Sequence, residues 1–196
     1  MSLRTPDRTA SILLLLALAL AAAPATAWHG PGHISATRRA VASLPDDVPA
    51  FFRAGAEAIA HYSVDPDLFT RPLGPPEVHS TERPEHYIDL ERLEGRDIPP
   101  TRYELLEWTF GRGLEPGDVG LLPYAIVEWT QRLSVAFAEH RRWPENEHIR
   151  MKCRVYAGML AHYAEDLCQP LHTTIHYDGR AGADGSSPRS GIHLKV

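Results

Sequence analysis

One short segment carries three side chains that commonly bind metal ions, at a spacing that can bring them together. It reads His162-Tyr-Ala-Glu-Asp166-Leu-Cys-Gln-Pro-Leu-His172. His162 and Asp166 are four residues apart, so on a helix they project in nearly the same direction. Pro170 ends such a helix, and the reversing chain can bring His172 back beside Asp166. Imidazole and carboxylate groups that meet at one point are typical ligands of a divalent ion such as zinc.

The same stripe of this helix is otherwise apolar, because Val155 and Met159 precede His162 and Asp166 on it. The pair is therefore expected to face the protein interior. A buried aspartate costs free energy unless its charge is met. A divalent ion would meet it, and a hydrogen-bonded His–Asp pair in the core is the alternative interpretation.

The N-terminus has the pattern of a cleavable signal peptide. Arg4 and Arg8 precede an apolar run over residues 10–23, and Ala25-Thr-Ala27 supplies the small residues of a cleavage site. The run is shorter than the roughly 20 residues of a bilayer-spanning helix. We predict a signal peptide over residues 1–27, a mature domain over 28–196 that is secreted or periplasmic, and no stable membrane insertion after cleavage. An uncleaved anchor is the alternative.

Cleavage at this site would leave Trp28 as the first residue, with a free α-amine and a carbonyl that could chelate a metal ion together. The turn Gly30-Pro-Gly32 could fold His33 back toward that terminus. The helix expected to follow would place His33, Thr37 and Val41 on one face, because they are four residues apart.

Two further segments offer candidate ligands. Glu85-His86-Tyr-Ile-Asp89 places His86 near two carboxylates, and Asp65-Pro-Asp67 offers two more. Each also has a structural interpretation, His86 as a core histidine and the aspartates as turn residues.

The elements that must position these groups are helical. We expect helices over residues 34–44, 48–62, 103–110, 119–142 and 145–167, and a long proline-rich loop over 65–100 with one short ordered segment around His86. Residues 178–191 read as a flexible loop. No alternating strand pattern persists, so the predicted class is all-α, a single compact multi-helix domain.

The composition of the chain indicates how it could bind a partner such as a nucleic acid. The 196 residues include eleven histidines but two cysteines, and the formal net charge is −5. A nucleic-acid partner would therefore be held by local metal and aromatic contacts and not by a wide basic face. Cys153 and Cys168 fall on one helix, too far apart for a disulfide.

The chain stops within what reads as a new ordered element at Gly191-Ile-His-Leu-Lys-Val196, so we expect it to be C-terminally incomplete.

Together the four segments resemble the zinc-dependent single-strand-specific nucleases and 3′-nucleotidases, a family related to zinc-dependent phospholipase C. The shared features, in the same order, are an N-terminal Trp followed closely by Gly-His, an isolated Asp, a His-aromatic-Ile-Asp box, and His-x3-Asp-x5-His ending in Gln-Pro-Leu-His. The last of these is specific and complete here. The resemblance spans nearly the whole chain after Ala27.

The resemblance implies up to three zinc ions in one cleft of a helical fold. Asp166 would bridge the first two ions, and the third would lack its acidic ligand, which falls just past the last residue. The implied ligands are Asp67, His86, His162 and Asp166 for the first ion; Trp28, His33 and Asp166 for the second; His172 and His193 for the third. Asp65 is the alternative to Asp67, and His176 the alternative to His193.

The implied reaction is hydrolysis of phosphate esters by a zinc-activated water, as in an endonuclease or 3′-nucleotidase. Asp166 would be catalytic through the bridged ions, Asp89 would orient a ligand or a bound water, and Tyr87 would stack a base of the substrate. We expect a monomeric enzyme acting on single-stranded nucleic acid or nucleotides. The alternatives are a phospholipase C acting on phospholipid head groups, with Leu68-Phe69 or Leu121-Leu122 as docking pairs, and a non-catalytic metal-binding protein.

The first prediction concerns Trp28. We expect mass spectrometry of the exported protein to give Trp28 as the mature N-terminus, because signal peptidase reads Ala25 and Ala27. Any other N-terminus would remove the Trp28 amine from the ligand set.

Overall fold

The helix that carries His162 and Asp166 lies at the centre of the fold. The computed structural model describes residues 30–70 and 75–195, except for the side chain of Leu194. Its α-helices in chain order are α1 (Gly30–Ala42), α2 (Ala50–Ala54), α3 (Ala56–Tyr62), α4 (Asp65–Phe69), α5 (Pro76–Glu82), α6 (Arg102–Phe110), α7 (Pro116–Val119), α8 (Leu122–Arg142) and α9 (Glu147–Cys168). The described residues also form four 3₁₀ turns, at Arg83–His86, Leu90–Leu93, Pro170–His172 and Ile192–Leu194.

Within the described residues no strand forms, and the strand-like contacts are isolated bridges such as Ile88 to Gly120. The all-α prediction is confirmed. None of the helices in this part of the chain combines the length and apolar character that crossing a bilayer requires. Cys153 and Cys168 are both free and lie on α9, as expected.

Both ends of α9 follow from local sequence. The Asn146 side chain accepts hydrogen bonds from the backbone N–H groups of His148 and Ile149, which caps the first turn. Gln169 is extended because Pro170 disfavours helical geometry in the residue before it. The chain then turns through Pro170–His172 and carries His172 back toward the helix, as the sequence predicts.

Three helices pack around α9 and form the main core. The long helix α8 lies along it, while α1 and α3 cover the face that carries the candidate ligands. The buried side chains of this core are Val41, Phe52, Ile59, Ala136, Ile149, Cys153 and Ala157. A second core lies under the segment that bears His86 and includes Ile88, Leu93, Leu105, Val119, Leu121 and Tyr124.

Three expectations about the local structure are wrong. The turn expected at Gly30-Pro-Gly32 is instead the start of α1, which begins at Gly30. The single helix expected over residues 48–62 is divided at Gly55, where the Arg154 side chain lies so close that a β-carbon would be 2.5 Å from its Nε. The long loop expected over 65–100 is instead largely ordered, with α4, α5 and two 3₁₀ turns in its described part. Prolines at the first turns of these short helices are compatible with helix starts.

The second prediction tests the close approach of α3 to α9. A β-carbon at Gly158 would lie 2.5 Å from Tyr62 Cβ and 2.8 Å from the carbonyl oxygen of Ile59. Gly158→Ala should therefore lower the free energy of unfolding by about 1–3 kcal/mol, because overpacking outweighs the gain in helix propensity. Urea unfolding measures this. Gly117→Ala is the control, since a β-carbon there would lie 3.9 Å from the Tyr87 hydroxyl, and equal stability of the two variants would contradict the packing argument.

Candidate metal centre

Four imidazoles surround the carboxylate of Asp166, which is 1% exposed. The shortest contacts are 3.1 Å to His86 Nδ1, 3.2 Å to His162 Nε2, 3.5 Å to His33 Nε2 and 3.6 Å to His172 Nδ1. The first two reach Oδ2 and the last two reach Oδ1. Residues from four separate parts of the chain therefore meet at one carboxylate, as the sequence pattern predicts.

Backbone carbonyls fix two of these rings. His162 Nδ1 donates a hydrogen bond to the Ser63 carbonyl at 2.8 Å, and His172 Nδ1 donates to the His86 carbonyl at 2.6 Å. A carbonyl only accepts, so in each neutral ring the proton lies on Nδ1 and the lone pair lies on Nε2. Such a hydrogen bond is the usual way in which proteins orient a metal-binding histidine.

A carboxylate fixes the third ring. Glu165 Oε2 accepts from His33 Nδ1 at 2.7 Å, and its other oxygen accepts from the Thr37 hydroxyl at 2.8 Å. The His33 ring also stacks on His162, with 4.0 Å between ring centroids. Glu165 was not among the predicted site residues. Two features of the sequence could have indicated it: Glu165 directly precedes Asp166, and His33 and Thr37, which it binds, lie one turn apart on the same face of their helix.

These hydrogen bonds direct lone pairs at the Asp166 carboxylate from His33 and His162. Among the described residues, the ring nitrogen best placed to donate into the cluster is His86 Nδ1, which lies 3.1 Å from Asp166 Oδ2 and 3.0 Å from His162 Nε2. A single proton cannot fully satisfy both acceptors at once, so the simple His–Asp hydrogen bond considered as the alternative leaves this cluster short of positive charge. A cation would supply it.

The size of the cluster also suits a metal ion. His162 Nε2, His86 Nδ1 and Asp166 Oδ2 form a triangle with sides of 3.0, 3.1 and 3.2 Å. Tetrahedral ligand atoms about 2.0–2.1 Å from zinc are separated by about 3.3–3.4 Å. The three separations are therefore within a few tenths of an ångström of those between the ligand atoms of a zinc ion.

Two groups of ligand atoms among the described residues are close enough to hold a metal ion, and His162 belongs to both. They are His33, His162 and Asp166, and Asp67, His86 and His162. Asp67 Oδ2 and His86 Nε2 are buried and have no hydrogen-bond partner among the described residues. Asp67 is thus the member of the Asp65-Pro-Asp67 pair that joins a group, while Asp65 lies outside both.

The electrostatics of the cluster favour the charged form of Asp166. Burial alone would raise its pKa, but His162 and His86, which can both donate to the carboxylate when their rings are protonated, outweigh burial and lower the pKa below its ordinary value. For His86, burial acts to lower the pKa, and the Asp166 carboxylate outweighs it and raises the pKa. The carboxylate therefore remains ionised and attracts positive charge.

An open cleft of about 390 Å³ lies over this cluster. Its walls include Asp67, His86, His172 and His193 among the predicted ligands. The rings of His172 and His193 lie 5.0 Å apart, centroid to centroid. Burial and the neighbouring His172 lower the pKa of His193, which favours the neutral ring that metals bind. His176, the alternative to His193, accepts a hydrogen bond from the Ala181 backbone through Nδ1 at 3.0 Å.

Tyr87 and Asp89 line the same cleft. The Tyr87 hydroxyl donates to the Gly117 carbonyl at 2.6 Å, which fixes the ring in the wall. Burial, followed by repulsion from Glu91, raises the pKa of Asp89 to about 6. Its carboxylate makes no hydrogen bond to a described residue, and its expected role in orienting a ligand or a bound water stays a prediction.

One predicted ligand lies outside the described residues. Trp28 precedes Gly30, the first residue of α1.

Comparisons of the chain with protein-family models, with curated proteins and with solved structures find no significant match. The geometry of the described residues therefore carries the functional argument.

The third prediction tests metal binding directly. Adding Zn²⁺ to metal-free protein should raise its melting temperature, because an ion present at 100 times its Kd stabilises the folded state by about 2.7 kcal/mol. His162→Ala should abolish most of this shift, because His162 belongs to both ligand groups. His148→Ala is the matched control, since His148 is exposed on the first turn of α9. An equal zinc-induced shift in the two variants, measured by differential scanning fluorimetry, would contradict the site.

Proposed function

We propose that the protein is an exported zinc-dependent phosphodiesterase that acts on single-stranded nucleic acid or nucleotides. The observation that carries the proposal is the convergence of four histidines on one buried carboxylate, Asp166, beneath an open cleft, with Asp67 grouped with two of those histidines. The four sequence segments that resemble the zinc nucleases are the ones that supply these groups. Imidazole and carboxylate ligands without thiolates suit zinc in a catalytic site.

The ligand assignment follows the resemblance and the geometry together. Asp67, His86, His162 and Asp166 would hold one ion. His33 and Asp166 would hold a second, with the Trp28 amine and carbonyl. His172 and His193 would contribute to a third.

When bound, the zinc ions would supply a water nucleophile at neutral pH and stabilise negative charge on the phosphate oxygens. The protein's own residues do the positioning. Glu165, with Thr37, holds His33 in one orientation, and the Ser63 carbonyl does the same for His162. The fixed ring of Tyr87 offers a face for a base, worth roughly 1–3 kcal/mol.

The phospholipase C alternative has one observation in its favour. Leu68 and Phe69, beside the ligand Asp67, are 47% and 39% exposed and could contact a lipid surface. The other expected docking pair, Leu121 and Leu122, is buried at 7% and 0% exposure and is excluded. A non-catalytic metal-binding protein would share the ligands without any turnover.

The fourth prediction separates these functions. Zinc-loaded protein should cleave single-stranded DNA or RNA and leave phosphatidylcholine intact, because Tyr87 offers a base-stacking surface beside the ligands. Activity should disappear on chelation and return with zinc. Release of diacylglycerol without nucleic-acid cleavage would establish the phospholipase instead, and zinc binding without turnover of any substrate would establish the non-catalytic protein.

Matched variants test the bridging role of Asp166 in the same assay. Asp166→Asn should lower kcat/KM by more than about 100-fold, because it impairs two ions at once, whereas His172→Ala should cost less. Circular dichroism of both variants controls for folding. An equal or milder loss at Asp166 would argue against a shared ligand.

A further inference from the structure

Two arginines line the cleft beside the candidate metal centre. Arg83 begins the 3₁₀ turn that ends at His86, and Arg92 belongs to the turn Leu90–Leu93. Neither guanidinium forms an ion pair or a hydrogen bond within the described part of the chain. Both positive charges are therefore available to a ligand that enters the cleft.

The glutamates that lie close to these arginines in sequence bind other groups. Each glutamate of the segment is committed to a different partner. The pairs are Glu82 with the Tyr163 hydroxyl, Glu85 with Arg102 at 2.5 Å, and Glu91 with the Thr174 hydroxyl at 2.5 Å and the Ile175 backbone at 3.1 Å. In the folded protein these glutamates therefore bind other groups, and none of them forms an ion pair with Arg83 or Arg92.

The Arg92 side chain is partly buried, and its Nε atom is buried without a hydrogen-bond partner among the described residues. A β-carbon at position 185 would lie 3.0 Å from a terminal nitrogen of Arg92, so Gly185, which has none, leaves room for the guanidinium. A buried donor on a cation costs free energy until an acceptor meets it. Arg92 also lines the cleft, so other atoms of its side chain can meet a ligand there.

Asp89 is the carboxylate of this wall that both arginines influence electrostatically, but it forms no ion pair or hydrogen bond with either of them within the described residues. Burial and repulsion from Glu91 raise its pKa to about 6, in spite of the opposing effect of Arg92 and Arg83. The two cations thus remain available beside a weakly paired carboxylate.

We propose that Arg83 and Arg92 form a phosphate subsite that binds the backbone phosphate next to the one being cleaved. Guanidinium groups bind phosphate oxygens through paired N–H donors. Tyr87 lines the same cleft and would hold the intervening base. The inference rests on the proposed function and refines it: the substrate is a strand with more than one phosphate, and a mononucleotide gains nothing from this subsite.

The fifth prediction is a binding measurement. The probe is a fluorescein-labelled hexathymidylate with phosphorothioate linkages, which slow cleavage, and the readout is fluorescence anisotropy with zinc-loaded protein. Arg83→Ala and Arg92→Ala should each weaken the Kd by about tenfold or more, the typical effect of removing one charge-assisted hydrogen bond. The slope of log Kd against log salt should fall by about 0.7 for each phosphate that the variant no longer neutralises. Thymidine monophosphate, used as a competitor, should keep its affinity within about twofold.

The controls separate phosphate binding from other effects. Arg141→Ala removes the same charge from an exposed arginine outside the cleft and should leave the Kd unchanged. Arg83→Lys keeps the charge without the paired donors and should restore part of the affinity. Arg92→Lys serves the same purpose if Arg92→Ala proves unstable.

Each outcome decides the proposal. Unchanged affinity and salt slope in both alanine variants, from an enzyme that still cleaves DNA, would overturn the subsite and leave the proposed function intact. An equal weakening in Arg141→Ala would also overturn it, as would arginine-dependent binding to phosphatidylcholine vesicles without binding to the oligonucleotide. Arginine-dependent oligonucleotide binding without any cleavage would support the subsite while the catalytic proposal fails.

Discussion

The buried carboxylate of Asp166 is the constraint on which the candidate site depends. An ionised group at 1% exposure is costly, by several kcal/mol even after relaxation, unless positive charge and hydrogen bonds compensate it. The surrounding imidazoles are held by Glu165, Ser63 and the His86 carbonyl in ways that present lone pairs as much as protons. The packing of α1, α3 and α9 therefore produces an arrangement that a cation completes.

The cleft above this carboxylate has two chemically different sides. The histidines and Asp67 form the floor on which an ion would be bound. The segment from Arg83 to Arg92 forms a wall with a fixed aromatic ring and two guanidinium groups that pair with no described carboxylate. Ions and arginines both attract phosphate, while the net charge of −5 shows that the chain as a whole is acidic. Recognition of a strand would thus be confined to the cleft.

The sequence was sufficient for the groups whose positions depend on local geometry. The four-residue spacing of His162 and Asp166 and the turn at Pro170 follow from helix periodicity and proline chemistry alone. It was insufficient where tertiary packing decides. The close approach of the distant Arg154 side chain to Gly55, where the helix divides, is a tertiary contact, and Glu165 acquires its role only because α1 brings His33 and Thr37 to it. The availability of the two cleft arginines likewise depends on where the neighbouring glutamates find their partners within the described residues.

The most direct test of the central claim is anomalous X-ray diffraction at the zinc absorption edge from crystals grown with zinc. We expect anomalous density within bonding distance of Asp166, with peaks on both sides of its carboxylate, one toward His33 and one toward His86 and Asp67. Asp166 bound by protonated histidines alone, with no anomalous density beside it, would contradict the account.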